Sequence, residues 1–299
     1  METADLLLAY DWPYDEPFLA RLGRSLRAAG RSLVTVSPQG LEAALSRLRR
    51  GDLTAGAFLD RGADTDPAFE PLEAWAAEHV PVVLNPAIDR RRAWRKSNLH
   101  WEFIRAGVHA PHTLVVPAWN RQPVLEVQPD LAPLGVTFAI KPDLGGGGWG
   151  VTLGARSWEQ VEKARCEMPD DDLLLQELIE PQEIEGRRAW FRIFYACGEV
   201  IPCWWDDRTR LFGPLVTVAE RRRLGLDGLW SVAGIAAKIG RLDLFSTEAA
   251  RVGDGRWVVV DYVNDPVDLR ILTQAGEGMP VEGAERIAEA VTGFIARQA

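Results

Sequence analysis

The chain has 299 residues, 47% of them hydrophobic and 26% charged, which is enough apolar material for one or two buried cores and argues against disorder. A formal net charge of −9 argues against a nucleic-acid surface, which needs clustered Lys and Arg to neutralise phosphates, although the basic run 89–96 could line a local pocket for a polyanion. Three cysteines without CxxC spacing suit a reducing compartment, and the apolar runs fall far short of the ~18–20 residues that span a bilayer.

Met1 is followed by Glu2 and Asp5, not by a basic region and a long apolar run, so no signal peptide and a cytoplasmic location are expected. Residues 6–10 read as a buried strand ended by Asp11-Trp12-Pro13. Phe18, Leu19, Leu22 and Leu26 recur at helical spacing, and Gly30 stops that helix. Strands are expected at 32–36, 55–60 and 80–84, with helices at 41–48 and 67–78 between them. This alternation predicts a small doubly wound parallel sheet, and the absence of G-x-G-x-x-G after its first strand argues against a dinucleotide site there. Residues 89–106 then read as one long helix ending at Gly107. Beyond it the rhythm is richer in strands, at 113–116, 136–141, 173–176, 189–196, 199–204, 242–251 and 257–262, with helices near 158–167, 228–239 and 281–296.

The segment 138–151 is the most informative. A strand delivers Lys141-Pro142, and a loop with five glycines in six residues (Gly145, Gly146, Gly147, Gly148, Gly150) returns the chain to the next strand. Glycines let backbone N–H groups approach a ligand together, the geometry that holds phosphate oxygens. No G-K-[ST] follows, so a mobile hairpin tip fits better than a Walker A helix.

A second hairpin carries acids. Folding about Asp254-Gly255 sets Glu248 opposite Asp261 on adjacent strands, and two opposed carboxylates are unfavourable unless a cation lies between them. Mg²⁺, with its demand for hard oxygen ligands, suits such a pair. Arg192 lies in an otherwise apolar strand, where a charge needs a partner such as a phosphate or a substrate carboxylate. Arg270 is a second candidate for an anionic substrate. The twelve tryptophans suit packing or pocket walls, the four histidines lack zinc spacing, and no G-x-S-x-G elbow is present.

Strand, Lys-Pro, glycine loop and Val151 together resemble the central signature of ATP-grasp enzymes. Lys96 on the preceding helix, followed by Gly107-Val108-His109-Ala110-Pro111-His112-Thr113, resembles that family's lysine-bearing helix and its G-[VI]-x-x-P-x-T strand entry. Residues 173–180 resemble its adenine-binding hinge, and Arg192 its D-I-R-V arginine, with Trp190 and Phe191 replacing the acid before it. Glu248 with Asp261-Tyr262-Val263-Asn264 resembles its acid and E-x-N pair, one residue wider. Either the strand bulges, or Asn264 lies in a loop, or Tyr262 takes the acidic position and Asp261 or Asp265 substitutes.

The resemblance implies mixed α/β and α+β architecture: a doubly wound parallel-sheet domain (1–86), a linker helix (87–111), and a two-lobed ATP-grasp fold, with the glycine loop in the first lobe (112–179) and the metal hairpin in the second (180–299). It implies that Lys96, Lys141, Gly146, Gly147 and Gly148 contact ATP phosphates. Gln176, Glu177, Leu178 and Ile179 would face the adenine, and Glu183, or Glu180, the ribose. Glu248, Asp261, Asn264 and Asp265, with Asp243 last, would hold Mg²⁺, with Mn²⁺ as a substitute, and Arg192 and Arg270 would serve the chemistry. The implied activity is ATP-dependent ligation of a small carboxylate to an amine or other nucleophile through an acylphosphate, as in relatives of glutathione synthetase and ribosomal-protein glutamate ligase. Alternatives are a phosphotransferase and a non-catalytic ATP-binding regulator. Neither nucleic acid nor a membrane is an expected partner, while a homo-oligomer is compatible with the resemblance.

Overall fold

A computed structural model of the chain describes residues 1–272 and 277–298. Strand β1 (Glu2–Tyr10), helix α1 (Glu16–Ala28), β2 (Leu33–Val36), α2 (Leu41–Arg50), β3 (Leu53–Arg61), α3 (Glu70–His79) and β4 (Val82–Leu84) alternate as expected. Their strands pair in parallel in the order β2-β1-β3-β4. Leu6 and Leu8 pack with Phe18, Leu22 and Leu26 of α1, whereas Leu7 joins Leu45 and Leu48 of α2 with Leu72 of α3. Both faces of β1 are therefore covered, which is why its sequence is a continuous apolar run instead of an alternation.

The long helix expected over 89–106 is two helices, α4 (Ala87–Ala93) and α5 (Lys96–Arg105), separated by Arg95 in an extended conformation. In an unbroken helix the Lys96 and Ser97 amides would bond carbonyls one turn earlier. Here Lys96 N donates to Asp143 O at 3.2 Å and Ser97 N to Asp143 Oδ1 at 2.7 Å. Periodicity alone could not reveal an acceptor 46 residues further along the chain.

Strands β5 (Thr113–Val116), β6 (Phe138–Pro142) and β7 (Thr152–Ala155), helix α6 (Trp158–Glu167) and strand β8 (Leu173–Glu177) follow. The four strands form an antiparallel sheet of order β5-β8-β6-β7, with Val161 and Ala164 of α6 packed on Phe138, Ile140, Leu173 and Leu175. A two-stranded ribbon, β9 (Glu183–Ile184) and β10 (Arg187–Arg188), leads to the third sheet. That sheet contains β11 (Trp190–Ala196), β12 (Glu199–Asp206), β13 (Leu211–Leu215), β14 (Leu244–Arg251) and β15 (Trp257–Asn264), antiparallel in the order β13-β12-β11-β14-β15.

Helices α7 (Val218–Leu224) and α8 (Gly228–Gly240) fall between β13 and β14, and α9 (Val281–Gln298) closes the described chain. Leu229, Val232 and Ala236 of α8 share a core with Phe191, Phe245 and Ala249 of the third sheet and with Leu99 and Phe103 of α5. On its other side, Ile287, Val291 and Ile295 of α9 join Phe194 and Ile201 to the Leu22–Leu26 stripe of α1, so α9 packs between the first and third sheets. Among the described residues no helix is long and apolar enough to cross a membrane.

Candidate functional site

A buried polar network sets the second sheet against the third. The Tyr262 hydroxyl lies 2.6 Å from His100 Nδ1 and accepts from Gln176 Nε2 at 3.0 Å, and the same amide nitrogen donates to Thr113 Oγ1 at 3.0 Å. The network thus links α5, β5, β8 and β15. Burial, with a smaller push from His112, lowers the His100 imidazole to about 4, so it stays neutral near pH 7. Two expectations change as a result. Tyr262 belongs to this buried network and does not stand in the acidic row. The Gln176 amide is likewise committed to the network and not turned toward an adenine.

The acidic hairpin has the expected register, with Glu248 opposite Asp261. The width of the Asp261–Asn264 spacing is explained by bulging of β15. From Ser246 to Glu248 β14 advances two residues, while β15 runs three, from Asn264 to Asp261; from Glu248 to Ala249 it runs two against one. Ser246 and Glu248 share a face of β14, so their partners Asn264 and Asp261 share it too, as the extra residue of a bulge allows.

On the other side of Glu248 the sheet places Arg192, giving a transverse row Arg192–Glu248–Asp261 across β11, β14 and β15. Arg192 Nη1 lies 3.3 Å from Glu248 Oε1, and its Nε donates to Ser246 Oγ at 3.2 Å. Trp190, two residues before Arg192 and so on the same face, donates its indole N–H to Glu248 Oε2 at 3.0 Å. The Arg192 guanidinium also lies over the rings of Trp205 and Phe212, at 5.2 and 5.9 Å.

Lys141 enters from the second sheet and donates from Nζ to the carbonyl of Val260 at 3.3 Å. Burial pulls its ammonium below the usual lysine range, against the pull of Asp261 and Glu248, while Lys96 pushes the same way as burial. Burial likewise pushes the Glu248 carboxyl up, eased by Arg192 and Lys141 and reinforced by Asp261. Asn264 lies on the same face with Nδ2 buried and unbonded, and turning its amide over would present the oxygen instead. Among the described residues no group of three or more His, Cys, Asp and Glu is arranged around one metal position, so the available oxygens are those of two carboxylates and one amide. That set fits a hard divalent cation.

Asp265 and Asp243 are not brought to this group. Asp265 Oδ1 accepts from Asn85 Nδ2 at 2.6 Å, its neighbouring cations are Arg90 and Arg61, and burial pushes it up to about 6. Asp243 borders Tyr195 and Cys197 at the start of β14, with its amide bonded to Asn85 Oδ1 at 2.7 Å. Asn85, just after β4, takes hold of the segments in which both lie. Arg270 is also elsewhere, paired with Asp268 at 2.7 Å and lying 5.3 Å over the ring of Trp12.

The glycine loop is tied down at its entry and open at its tip. Lys96 Nζ donates to the carbonyl of Gly145 and lies 3.4 Å from that of Asp143, whose buried carboxylate receives the Ser97 amide. Gly147 and Gly148 have φ of +62° and +78°, conformations that side chains rarely tolerate. A Cβ placed at Gly146 or Gly147 would meet open space, whereas at Gly148 it would meet Arg210 of the β12–β13 turn. At the hinge after β8, the Glu177 carboxylate accepts from His112 N at 2.8 Å, and Leu178 is exposed. Glu183 is exposed on β9, and Glu180 pairs with Arg188, which also grips Asp207 at 2.7 and 2.8 Å.

Two residues of the site were not foreseen. Trp190 reads in sequence as a replacement for an acid, yet its position two before Arg192 is a readable sign that both share a face. Arg210 carried no signal, because its neighbour Gly148 is 62 residues away in sequence and on another sheet.

No protein-family model matches the chain, and no curated protein matches it. Solved structures do match. A RimK domain ATP-grasp protein from Sphaerobacter thermophilus DSM 20745 is 23% identical with a TM-score of 0.62, covering 97% of this chain and 98% of its own. The D-cycloserine synthetase DcsG is 18% identical (TM-score 0.63; 97% and 99% covered), and the D-alanine–D-alanine ligase of Bacillus anthracis, complexed with ATP, 12% identical (0.62; 100% and 97%). Identities this low carry architecture and not activity. With three sheets in this order and full-length agreement with those structures, the chain has the ATP-grasp fold.

Proposed function

We propose that the protein binds ATP between the glycine loop and the acidic row and uses it to join a carboxylate to an amine. The observation that carries this reading is the meeting of Lys141, from the second sheet, with the row Arg192–Glu248–Asp261 of the third. Two acids and two cations gathered in a partly buried place, with burial and Asp261 raising the Glu248 carboxyl, make a poor structural pair and a good receptor for a polyphosphate that brings its own divalent cation. Lys96, Lys141 and the amides at Gly146–Gly148 would neutralise and orient phosphate oxygens, and the hinge backbone at Leu178 and Ile179 would meet the adenine. Glu183 stands on the adjoining ribbon as a ribose acceptor.

Glu248, Asp261 and Asn264 would hold Mg²⁺, which when bound offsets phosphate charge during transfer. Trp190 and Arg192 fix the Glu248 carboxylate so that its orientation does not depend on the ligand. In the reaction, a substrate carboxylate oxygen attacks the γ-phosphorus and ADP leaves; the amine then attacks the acyl carbon, phosphate departs and the amine proton goes to solvent. Arg192, beside the paired rings of Trp205 and Phe212, is placed to orient the anionic acyl group, and catalysis by positioning and charge neutralisation needs no dedicated base. The structural neighbours support the class: the ligase PsnB was solved with its precursor, Mg and ADP, and the D-alanine–D-alanine ligase with ATP.

The test is ADP release over a panel of small carboxylates and amines, with product masses. An amide product with stoichiometric ADP and phosphate is expected. A stable phosphorylated product would make the protein a phosphotransferase, and ATP binding without turnover across the panel would make it a regulator.

A further inference from the structure

The turn between β12 and β13 is built to hold one side chain in place. Asp206 Oδ1 accepts from the amides of Arg208 and Thr209 at 2.9 and 3.1 Å, and the Asp206 carbonyl accepts from Arg210 N at 2.8 Å. These bonds close the turn and leave Arg210 in the left-handed region, with φ of +60°. Its guanidinium reaches the glycine loop of the other lobe. A Cβ at Gly148 would lie 2.7 Å from Arg210 Nη1, 3.3 Å from Cζ and 3.4 Å from Nη2, so the planar group lies against bare backbone. Among the described residues no carboxylate lies within salt-bridge distance of Arg210, although Arg187 and Arg192 each hold one and Arg188 holds two.

A guanidinium without a counter-anion, laid on the bare backbone of a glycine loop, is placed to take one from a ligand. We propose that Arg210 is a phosphate-binding residue, reaching across the cleft to grip the polyphosphate of ATP and latch the glycine loop over it. This rests on the ATP reading above. It also gives Gly148 a reason beyond its φ, since any side chain there would displace the guanidinium.

Calorimetric titration of wild type, Arg210→Ala and Arg210→Lys with ATP and with adenosine, all in Mg²⁺, tests it. Loss of one charge-assisted contact predicts about tenfold weaker ATP binding by Arg210→Ala, with adenosine unchanged. Arg210→Lys, which keeps the charge but not the planar fork, is expected to fall between. Unchanged ATP affinity in Arg210→Ala overturns this role and leaves the ATP site standing. An equal loss for adenosine marks a structural effect and also overturns it. Wild-type protein that binds no ATP overturns both this inference and the reading beneath it.

Discussion

Two groups of charge, one buried and one partly buried, are built on different plans. In the group beside the first sheet, Arg61 grips both oxygens of Asp15 at 2.7 and 2.8 Å and also donates to Val267 O, while Arg90 is held between Asp60, at 2.8 Å, and Glu73. Each arginine there owns an acid. In the row on the third sheet the pairing is incomplete: Lys141 donates only to a backbone carbonyl, and the Asp261 carboxylate accepts no hydrogen bond among the described residues. A closed group fixes the first sheet against the segment that follows β15, whereas an open one keeps charge available for a ligand. Burial without full pairing costs free energy, and a site that recovers that cost on binding gains affinity from it.

Lys141 separates the two plans most sharply. Lys141→Ala should abolish the rise in melting temperature that ATP and Mg²⁺ give, while leaving the ligand-free melting temperature unchanged or higher, because a buried ammonium is removed; a wild-type ATP shift would count against the site. Arg61→Ala should do the reverse. It leaves Asp15 buried without its cation, a loss of about 3–5 kcal/mol, measured by denaturant unfolding. A loss under about 1 kcal/mol would mean that this group is not the fastening described.

How far the sequence could have led follows from these same residues. The Glu248–Asp261 pairing was legible because an Asp-Gly turn between two strand-like runs sets register locally. The parallel sheet was legible because its strands are apolar on both faces. The helix break at Trp94–Arg95, the retention of Asp265 by Asn85, and Arg210 on the glycine loop were not. Each depends on an acceptor or neighbour brought near only by folding, and neither propensity nor period encodes such meetings.

A smaller effect is expected from Asp261→Asn, which should weaken the Mg²⁺ dependence of ATP binding without removing ATP binding itself. Identical affinity with and without Mg²⁺ in wild type, or indifference of that dependence to the substitution, would move the cation elsewhere. The smallest is a matter of pH. Burial raises Asp265 from the ordinary carboxylate value of 3.8 to about 6, so the folded chain holds this proton more tightly than the unfolded one. Its contribution to stability is therefore complete below the unfolded pKa and is lost as pH rises through about 6. Asp265→Asn should flatten that decline in melting temperature, and a slope like that of wild type would assign the titration to another group.

In the proposed function one triphosphate is held jointly by two sheets. A crystal structure with a non-hydrolysable ATP analogue and Mg²⁺ tests it most directly. The phosphates are expected between Lys141, Glu248 and Asp261, beneath the backbone of Gly146–Gly148. An analogue bound instead at the strand ends of the parallel sheet, with the acidic row untouched, would rule out joint binding by the two sheets.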